Sequence, residues 1–339
     1  MRTWKTRNVR ICLLLLMLLV LAIPAKAAER SIRALHFVVF NIAVADAKHL
    51  IDEASREHFN TVILGLPWRD GLLLRSTPWV VPNKLTWSRN DLVDVADYAR
   101  QKSIEIIPQL PLLSHQAVLL APLFSDLMFN AQTYDPRKAK VYEIVLPMIY
   151  EIIELLHPRA IHIGHDEVVG WKEKHFEMKL LKRGEQILPP DLFLDDVNRI
   201  HGYLKKKGIE TWMWGDMLIS PDEFPSMKKN GLHGISPGYG RVLRHKIPKD
   251  IVICDWHYLD DQTEFPTLAA FRVDGFRVLG ASWKNTKTIR NFSSYAAKHG
   301  AEGMIATTWW PVQGKEWDVV DQIIQVSGEA FRKDFPDAK

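Results

Sequence analysis

The sequence has 339 residues, 47% of them hydrophobic, with 44 basic and 40 acidic side chains. Five of the basic side chains and no acidic one lie in residues 1–27, so the remaining chain has a net charge near −1. That balance excludes the electrostatic footprint of a nucleic-acid-binding protein, and Cys254, the lone cysteine after residue 27, excludes an intrachain disulfide in the processed chain.

Residues 1–27 have the pattern of a secretory signal peptide. The basic stretch MRTWKTRNVR is followed by the apolar run ICLLLLMLLVLAIP and by AKA, which ends at Ala27 with small residues at the cleavage positions. The apolar run is short for a bilayer span, so cleavage after Ala27 is favoured over an uncleaved anchor. We therefore expect a secreted or periplasmic protein without a membrane partner after cleavage, and a membrane-anchored one if the segment is retained.

Eight short apolar runs with strand-like composition follow along the chain. They are ALHFVVF (34–40), TVILGLP (61–67), IEIIPQL (104–110), AIHIGHD (160–166), ETWMWGD (210–216), IVICDWH (251–257), FRVLGAS (276–282) and GMIATTW (303–309). Amphipathic stretches between them predict helices, and these include residues 44–59, 90–102, 138–156, 191–207 and 288–300. Glycine after the fourth of these stretches, Gly208, is a typical helix stop.

Strands that alternate with helices pair in parallel through right-handed crossovers. Eight such units in a chain of this length predict an α/β fold, a single-domain (β/α)8 TIM barrel over residues 30–335. The alternative is an open doubly wound sheet, but no glycine-rich phosphate loop follows the first strand. A ninth candidate strand, HGISPGYG (233–240), is rich in glycine and proline and is predicted to be a loop.

The C-terminal ends of the predicted strands carry the polar and aromatic residues, and in a barrel of this type that end holds the chemistry. Twelve tryptophans are more than average usage supplies, and a set of them at strand ends is typical of a protein that stacks on sugar rings. The residues at the ends of strands four to eight include His165, Asp166, Glu167, Trp214, Asp216, Asp255, Trp256, His257, Tyr258, Trp283, Trp309 and Trp310.

The adjacent carboxyls of Asp166 and Glu167 favour glycosidic-bond cleavage. Burial and mutual repulsion raise the pKa of at least one carboxyl, which leaves a proton donor near neutral pH. Cleavage needs such a donor on the leaving oxygen. Because neighbours in an extended strand point to opposite sides, the two cannot act as acid and nucleophile on one bond. At the end of the strand, however, one can reach the leaving group while the other holds a different part of the sugar.

The segment IHIGHDEV resembles the H-x-G-G-D-E signature of family 20 glycoside hydrolases, the β-N-acetylhexosaminidases. The resemblance implies that Glu167 is the general acid/base and that Asp166 orients the 2-acetamido group of the substrate. The carbonyl oxygen of that group attacks C1, so neither an enzyme nucleophile nor a cofactor is needed. The resemblance also makes His162 a supporting residue inside the barrel and implies an N-acetylhexosamine-containing glycan as substrate.

Weaker similarities to the same family extend from about residue 100 to 312. IEIIPQLPLLSH resembles the third-strand segment and places His115 near the histidine of the family. WMWGDM is similar to the fifth-strand W-x-D/E, which implies roles in substrate binding for Trp214 and Asp216. DWHYLDD resembles a segment that supports the acetamide, so Tyr258 is expected to hydrogen-bond the amide carbonyl. The indoles expected to line the pocket are Trp256, Trp283 and Trp309.

Several positions depart from the pattern of the family. HFVVFNIA lacks the arginine that grips the terminal sugar at the end of strand one, and Trp309 is followed by Trp310 and Pro311 where the family has W-x-E. Acidic residues of the third-strand segment are replaced by Gln109 and Leu110, and the second glycine of the signature is His165. Retained catalytic residues without the terminal-sugar clamp suggest an internal linkage, a modified amino sugar, or no turnover.

Three alternatives remain open on the sequence. Asp166 and Glu167 are also the kind of pair that caps a helix or forms surface ion pairs. The barrel could bind carbohydrate without cleaving it, which calorimetry with chito-oligosaccharides would reveal. It could also be a metal-dependent hydrolase or deacetylase with His162, His165 and Asp166 as ligands, although the two histidines face opposite ways in a strand. We expect no metal, and chelator sensitivity together with acetate release would contradict that.

Overall fold

The computed structural model describes residues 31–67, 71–117, 119–168, 185–227, 231–234, 238–259 and 261–337. The predicted signal peptide, residues 1–27, lies outside the described residues. Contacts group residues Ile32–Pro336 into one unit, to which the fold described below belongs. No helix in the described ranges has both the length and the apolarity that crossing a membrane requires.

Eight parallel strands close into a barrel in which each strand pairs with its neighbours in the sequence. The barrel closes where β1 pairs with β8, with His36 opposite Thr307. The strands are β1 (Ile32–Val38), β2 (Thr61–Gly65), β3 (Glu105–Leu112), β4 (Ala160–Gly164), β5 (Glu210–Trp214), β6 (Val252–Trp256), β7 (Arg277–Ser282) and β8 (Gly303–Thr307). The predicted (β/α)8 barrel is confirmed, and each of the eight predicted strands overlaps an observed one.

Helices surround the barrel and separate its strands. They are α1 (Val44–Arg56), α2 (Arg89–Gln101), α3 (Ala139–Leu156), α4 (Pro190–Lys206), α5 (Arg241–Lys246), α6 (Pro266–Val273), α7 (Thr286–Lys298), α8 (Trp309–Gln313) and α9 (Trp317–Asp334). Local sequence sets their starts: Ser88 accepts from the backbone N–H of Asp91, and Asn285 accepts from those of Lys287 and Thr288. The described part of the predicted loop 233–240 contains no strand.

The alternation of side chains along each strand divides the core in two. One set of apolar side chains points outward against the helices, with Leu35, Phe37 and Ile161 among its members. A second set fills the interior of the barrel, and it includes Ile32, Ala34, Ile63, Ile107, Ala160, Trp212, Trp214, Val252, Cys254, Trp256, Leu279, Ala281 and Ile305. Full burial of a large apolar side chain stabilises the fold by about 1.5–3 kcal/mol, so the filled interior makes the barrel a rigid support.

Ion pairs connect the N-terminal ends of five strands. The guanidinium of Arg159 is 2.7 Å from the Glu105 carboxylate and 3.2 Å from that of Glu210. Arg277 lies 3.1 Å from Glu210 and 2.8 Å from Glu302. These contacts join β3, β4, β5, β7 and β8 at the end of the barrel opposite the predicted site. These ion pairs hold the strands together at that end, while the carboxyls and the aromatic side chains of the predicted site lie at the other end.

Candidate active site

The turn after β4 presents both adjacent carboxyls to one place. The backbone φ angles of Gly164, His165 and Glu167 are 75°, 67° and 51°, so the chain passes through left-handed conformations as it leaves the strand. The alternation expected for an extended strand therefore does not apply to Asp166 and Glu167, which lie beyond its end. Their side chains are 17% and 25% exposed, consistent with two groups that face a cleft.

His115 meets both carboxyls from the loop that follows β3. Its Nε2 atom is 3.2 Å from Asp166 Oδ2 and 3.6 Å from Glu167 Oε2. Burial acts to lower the pKa of His115, but Asp166, and after it Glu167 and Asp216, raise that pKa to about 9. The imidazole is therefore a cation at neutral pH and holds the two carboxyls of the site together.

The two carboxyls differ in their tendency to ionise. Burial acts to raise the pKa of Asp166, but the contact with His115 outweighs it and the pKa lies below its usual value. Burial raises the pKa of Glu167 above its usual value, against the opposing effect of His115 and His233. One site thus holds an ionised carboxylate next to a carboxyl that retains its proton to higher pH, a division suited to acid catalysis.

Asp216 anchors the backbone of Glu167 from the turn after β5. Its Oδ2 atom accepts hydrogen bonds from the Glu167 backbone N–H and from His233 Nδ1, both at 2.8 Å. No described residue hydrogen-bonds its other oxygen, Oδ1. Burial acts to lower the pKa of His233, but Asp216 outweighs it and the pKa is raised. The structure thus places Asp216 beneath Glu167, where it fixes the position of that residue.

Aromatic side chains at the C-terminal ends of β6, β7 and β8 form a continuous wall beside the carboxyls. The rings of Trp256 and Tyr258 stack with centroids 4.8 Å apart, and Trp283 meets Tyr258 edge-on at 5.8 Å. The Trp309 indole N–H donates to the Tyr258 hydroxyl at 3.0 Å. Burial raises the pKa of Tyr258, so the hydroxyl stays protonated and can hydrogen-bond a ligand. All four predicted aromatic residues thus lie in one wall.

Trp214 and His162 lie below this wall, inside the barrel. Their rings pack with centroids 4.5 Å apart, and Trp214 lies 6.1 Å from Trp309. Burial lowers the pKa of His162 to about 3, so its ring is neutral. His162 Nδ1 accepts from the Gly164 backbone N–H at 3.1 Å. Both residues therefore lie below the floor of the cleft and not on its open surface, and His162 also holds Gly164, the residue at which β4 ends.

The metal ligands considered from the sequence do not come together. His162 points into the barrel, whereas His165, which follows the end of β4, points outward and lies 2.8 Å from Asp196, so the two histidines face opposite ways. The described residues do contain one other group whose ligand atoms lie within 4.8 Å of one another, formed by His115, Asp166 and Glu167. An ion bound there would have to displace the proton of His115, since a metal ligand must be deprotonated.

A polar pair inside the barrel was not among the predicted site residues. His36 Nε2 and Gln109 Oε1 are 2.5 Å apart, and the His36 ring packs against Trp309 with centroids 4.3 Å apart. Burial lowers the pKa of His36 to about 4, so the ring is neutral. A signal was present in the sequence: Ile32 and Ala34 point inward, and the period of two places His36 on the same face.

The departures expected at strands one and eight have structural counterparts. Asn41 stands at the end of β1 and donates through Nδ2 to the Gln313 carbonyl oxygen at 3.0 Å, while its neighbour Phe40 is 41% exposed. Trp310 on α8 is 74% exposed. The rim between β8 and β1 thus offers aromatic and amide surface, and Pro311, at the position of the glutamate in W-x-E, is buried.

Comparison with known proteins identifies a family for most of the chain. The family model "Glycosyl hydrolase family 20, catalytic domain" matches residues 40–310. A curated relative, beta-hexosaminidase 1 of Coccidioides posadasii (strain RMSCC 757 / Silveira), is 21% identical over 51% of this chain and 29% of its own length. The chain therefore spans less than a third of that relative.

Solved structures agree in fold at low sequence identity. Dispersin B is 17% identical, with a TM-score of 0.59 over 90% of this chain and 100% of its own. An exo-β-N-acetylglucosaminidase from Vibrio harveyi, solved with N-acetylglucosamine, is 15% identical, with a TM-score of 0.61 over 89% of this chain and 54% of its own. The TM-scores show a shared barrel fold, and at these identities they do not show a shared chemistry.

Proposed function

The chain belongs to glycosyl hydrolase family 20, and from that membership and the geometry of the site we propose that it hydrolyses β-linked N-acetylhexosamine residues of a glycan. The reaction proceeds by substrate assistance with retention of configuration at C1. The observation that carries the proposal is that the pKa values of two adjacent carboxyls shift in opposite directions. Contact with His115 lowers the pKa of Asp166, and burial raises the pKa of Glu167.

Glu167 is the general acid/base in this proposal. Its raised pKa keeps a proton available for the leaving glycosidic oxygen, and the same carboxylate then removes a proton from the attacking water. The bond from its backbone N–H to Asp216 holds the residue in position at 2.8 Å. The same carboxyl oxygen gives a proton to the leaving group in the first step and takes one from water in the second. Glu167 must therefore stay in one position through both steps.

Asp166 stabilises the amide that the substrate brings. Its ionised carboxylate accepts the N–H of the 2-acetamido group and favours the positive charge that develops on that group as its carbonyl oxygen bonds to C1. Tyr258 donates to the same carbonyl oxygen, and the wall of Trp256, Trp283 and Trp309 encloses the acetamido methyl. The substrate thus supplies the nucleophile, and a second enzyme carboxylate on the opposite side of C1 is unnecessary.

Product analysis on a panel of polymers tests this proposal. N-acetylglucosamine- and N-acetylgalactosamine-containing glycans are incubated with the protein, and N-deacetylated forms of the same glycans serve as matched controls. We expect new reducing ends from the acetylated forms alone. Equal rates on a polymer whose cleaved sugar has been deacetylated would rule out participation of the amide.

A second candidate function is carbohydrate binding without turnover. The exposed Phe40 and Trp310 at the ends of strands one and eight, where the sugar-clamp residues of the family are missing, favour it, because aromatic surface retains sugars that charged side chains no longer orient. Calorimetry with chito-oligosaccharides separates the two functions: binding without new reducing ends supports the second. Parallel assays with a chelator and for released acetate test the metal-dependent deacetylase, whose ligands would be His115, Asp166 and Glu167.

We also propose that the protein acts outside the cytoplasm, secreted or in a periplasm. The composition of residues 1–27 supports this, with a basic start, an apolar run and small residues before the cut. N-terminal sequencing of the protein recovered from the culture medium or the envelope should begin after Ala27. An intact N-terminus in a membrane fraction would favour the anchored form.

A further inference from the structure

A fully buried carboxylate, Asp196 on α4, lies beneath the turn that carries the catalytic carboxyls. Three side chains reach it: His165 Nε2 lies 2.8 Å from Oδ2, the Tyr134 hydroxyl donates to Oδ2 at 2.9 Å, and the Tyr142 hydroxyl donates to Oδ1 at 2.6 Å. We call these four residues the Asp196 cluster. All of them are at least 94% buried, so the cluster is isolated from solvent.

The Asp196 cluster connects the two segments that meet at the site. His165 immediately precedes Asp166 and Glu167. Tyr134 lies in the connection from β3 to α3, and its backbone N–H donates to the Leu113 carbonyl oxygen at 3.2 Å, two residues before His115. The cluster thus links the backbone on both sides of the 3.2 Å contact between His115 and Asp166. A change in the cluster would therefore alter that distance.

His165 adopts a backbone conformation that disfavours a side chain. Its φ of 67° lies in the left-handed region, and the family signature has glycine at this position. Both nitrogens of its ring lie near oxygen atoms, Nδ1 at 2.9 Å from the Ile163 carbonyl and Nε2 at 2.8 Å from Asp196. The ring also meets Phe193 edge-on at 5.7 Å. These contacts hold the residue in a conformation that it would otherwise leave.

We propose that His165 is a positioning residue, which through Asp196 fixes the turn bearing Asp166 and Glu167 against His115. The kinetic consequence rests on the proposed glycosidase function, whereas the geometric consequence does not. Where the family has a flexible glycine, the His165 side chain thus connects β4 to α4 and, through Asp196 and Tyr134, to the loop after β3.

Kinetics of two substitutions test the proposal. His165→Ala and His165→Gly both remove the ring, and glycine alone restores a residue suited to the left-handed φ. We expect kcat to fall by about 10- to 100-fold in both variants, since a displacement on the order of 1 Å has an effect of that size, with KM changed by less than about threefold. His201→Ala is the matched control, because His201 lies on the same α4, is paired with Asp250 at 3.2 Å, and sits outside the site.

Nuclear magnetic resonance titration of His115 gives a readout that needs no substrate. The pKa of about 9 in the wild-type protein depends on contact with Asp166, so it should move down towards 6.5 in both His165 variants and stay in place in His201→Ala. The signal of His115 is assigned by its loss in His115→Gln. An inactive wild-type protein with this titration behaviour would refute the glycosidase proposal and leave the positioning role supported.

A milder pair of variants guards against loss of folding. Tyr142→Phe removes one hydroxyl from Asp196 without changing side-chain shape, and Tyr98→Phe removes one from Asp52 between α1 and α2. We expect a smaller fall in kcat and a smaller shift of the His115 titration in the first, and neither in the second. Wild-type kcat and wild-type titration in His165→Gly would overturn the proposal, because the ring would then serve packing alone.

Discussion

Replacement of His115 by glutamine tests the electrostatic link between the two carboxyls. Glutamine keeps a hydrogen-bonding group of similar reach and removes the positive charge that lies 3.2 Å from Asp166 and 3.6 Å from Glu167. Each ionised carboxylate then loses a favourable interaction, so the pKa of both groups should rise. The direction is the same for the two residues even though their starting shifts are opposite.

The distances set the size of the effect. An opposite charge within about 4–6 Å lowers a carboxyl pKa by about 1–3 units. Side-chain exposures of 17% and 25% leave only part of this interaction to solvent screening, so both pKa values should rise when the charge is removed. The proposed mechanism requires an ionised Asp166 and a protonated Glu167. The acidic and alkaline limbs of the kcat/KM profile should therefore both move to higher pH, as macroscopic values of the pair.

The measurement is a pH profile of kcat/KM on an aryl N-acetylglucosaminide for wild type and His115→Gln. His201→Gln is the control, since it makes the same substitution at a histidine that contacts Thr211 and Asp250 away from the site. Limbs that remain in place, or that move to lower pH in His115→Gln, would refute the assignment of His115 as the shared cation.

Three further predictions concern the turn, its anchor and the wall. Gly164→Ala places a Cβ atom 3.2 Å from the Leu110 carbonyl oxygen at a φ of 75° and should lower the free energy of unfolding by about 1–3 kcal/mol. Gly202→Ala is the control, because a Cβ atom added at this position of α4 meets no other atom of the described residues within 4 Å. In the same denaturant titration it should raise the free energy of unfolding by about 0.5–1 kcal/mol. Asp216→Asn should lower kcat by about 10- to 100-fold, since it weakens the bond that positions the Glu167 backbone, and an unchanged kcat would contradict that role. Tyr258→Phe should lower kcat/KM about tenfold on acetamido sugars, in line with the loss of one hydrogen bond, and an equal loss on deacetylated sugars would contradict acetamide recognition.

The barrel and the face that bears the site follow from local patterns. Parallel strands that are buried on both faces form continuous apolar runs, and here such runs alternate with amphipathic stretches. The positions of the strands could therefore be predicted from the sequence. The concentration of aromatic residues after strands six to eight then located the wall of Trp256, Tyr258, Trp283 and Trp309. These features depend on spacing within a few residues, which a sequence displays directly.

The remainder of the site depends on the path of the backbone and on distant contacts. The convergence of Asp166 and Glu167 results from left-handed residues beyond β4, and a non-glycine residue such as His165 gives no local signal for that conformation. The role of Asp216 as an anchor for Glu167, and the link from His165 through Asp196 to Tyr134, join residues between 31 and 62 positions apart. Strand pairing brings them together, so no short window of sequence contains them.

Turnover by Glu167→Gln, measured on a chito-oligosaccharide beside the wild type, tests the assignment of the proton donor most directly. Calorimetric binding and thermal unfolding of the same preparations establish that the variant is folded and still takes up the glycan. We predict retained binding and a kcat lowered by about 10²- to 10⁴-fold, the usual contribution of a general acid. A variant that hydrolyses the oligosaccharide at the wild-type rate would contradict the account.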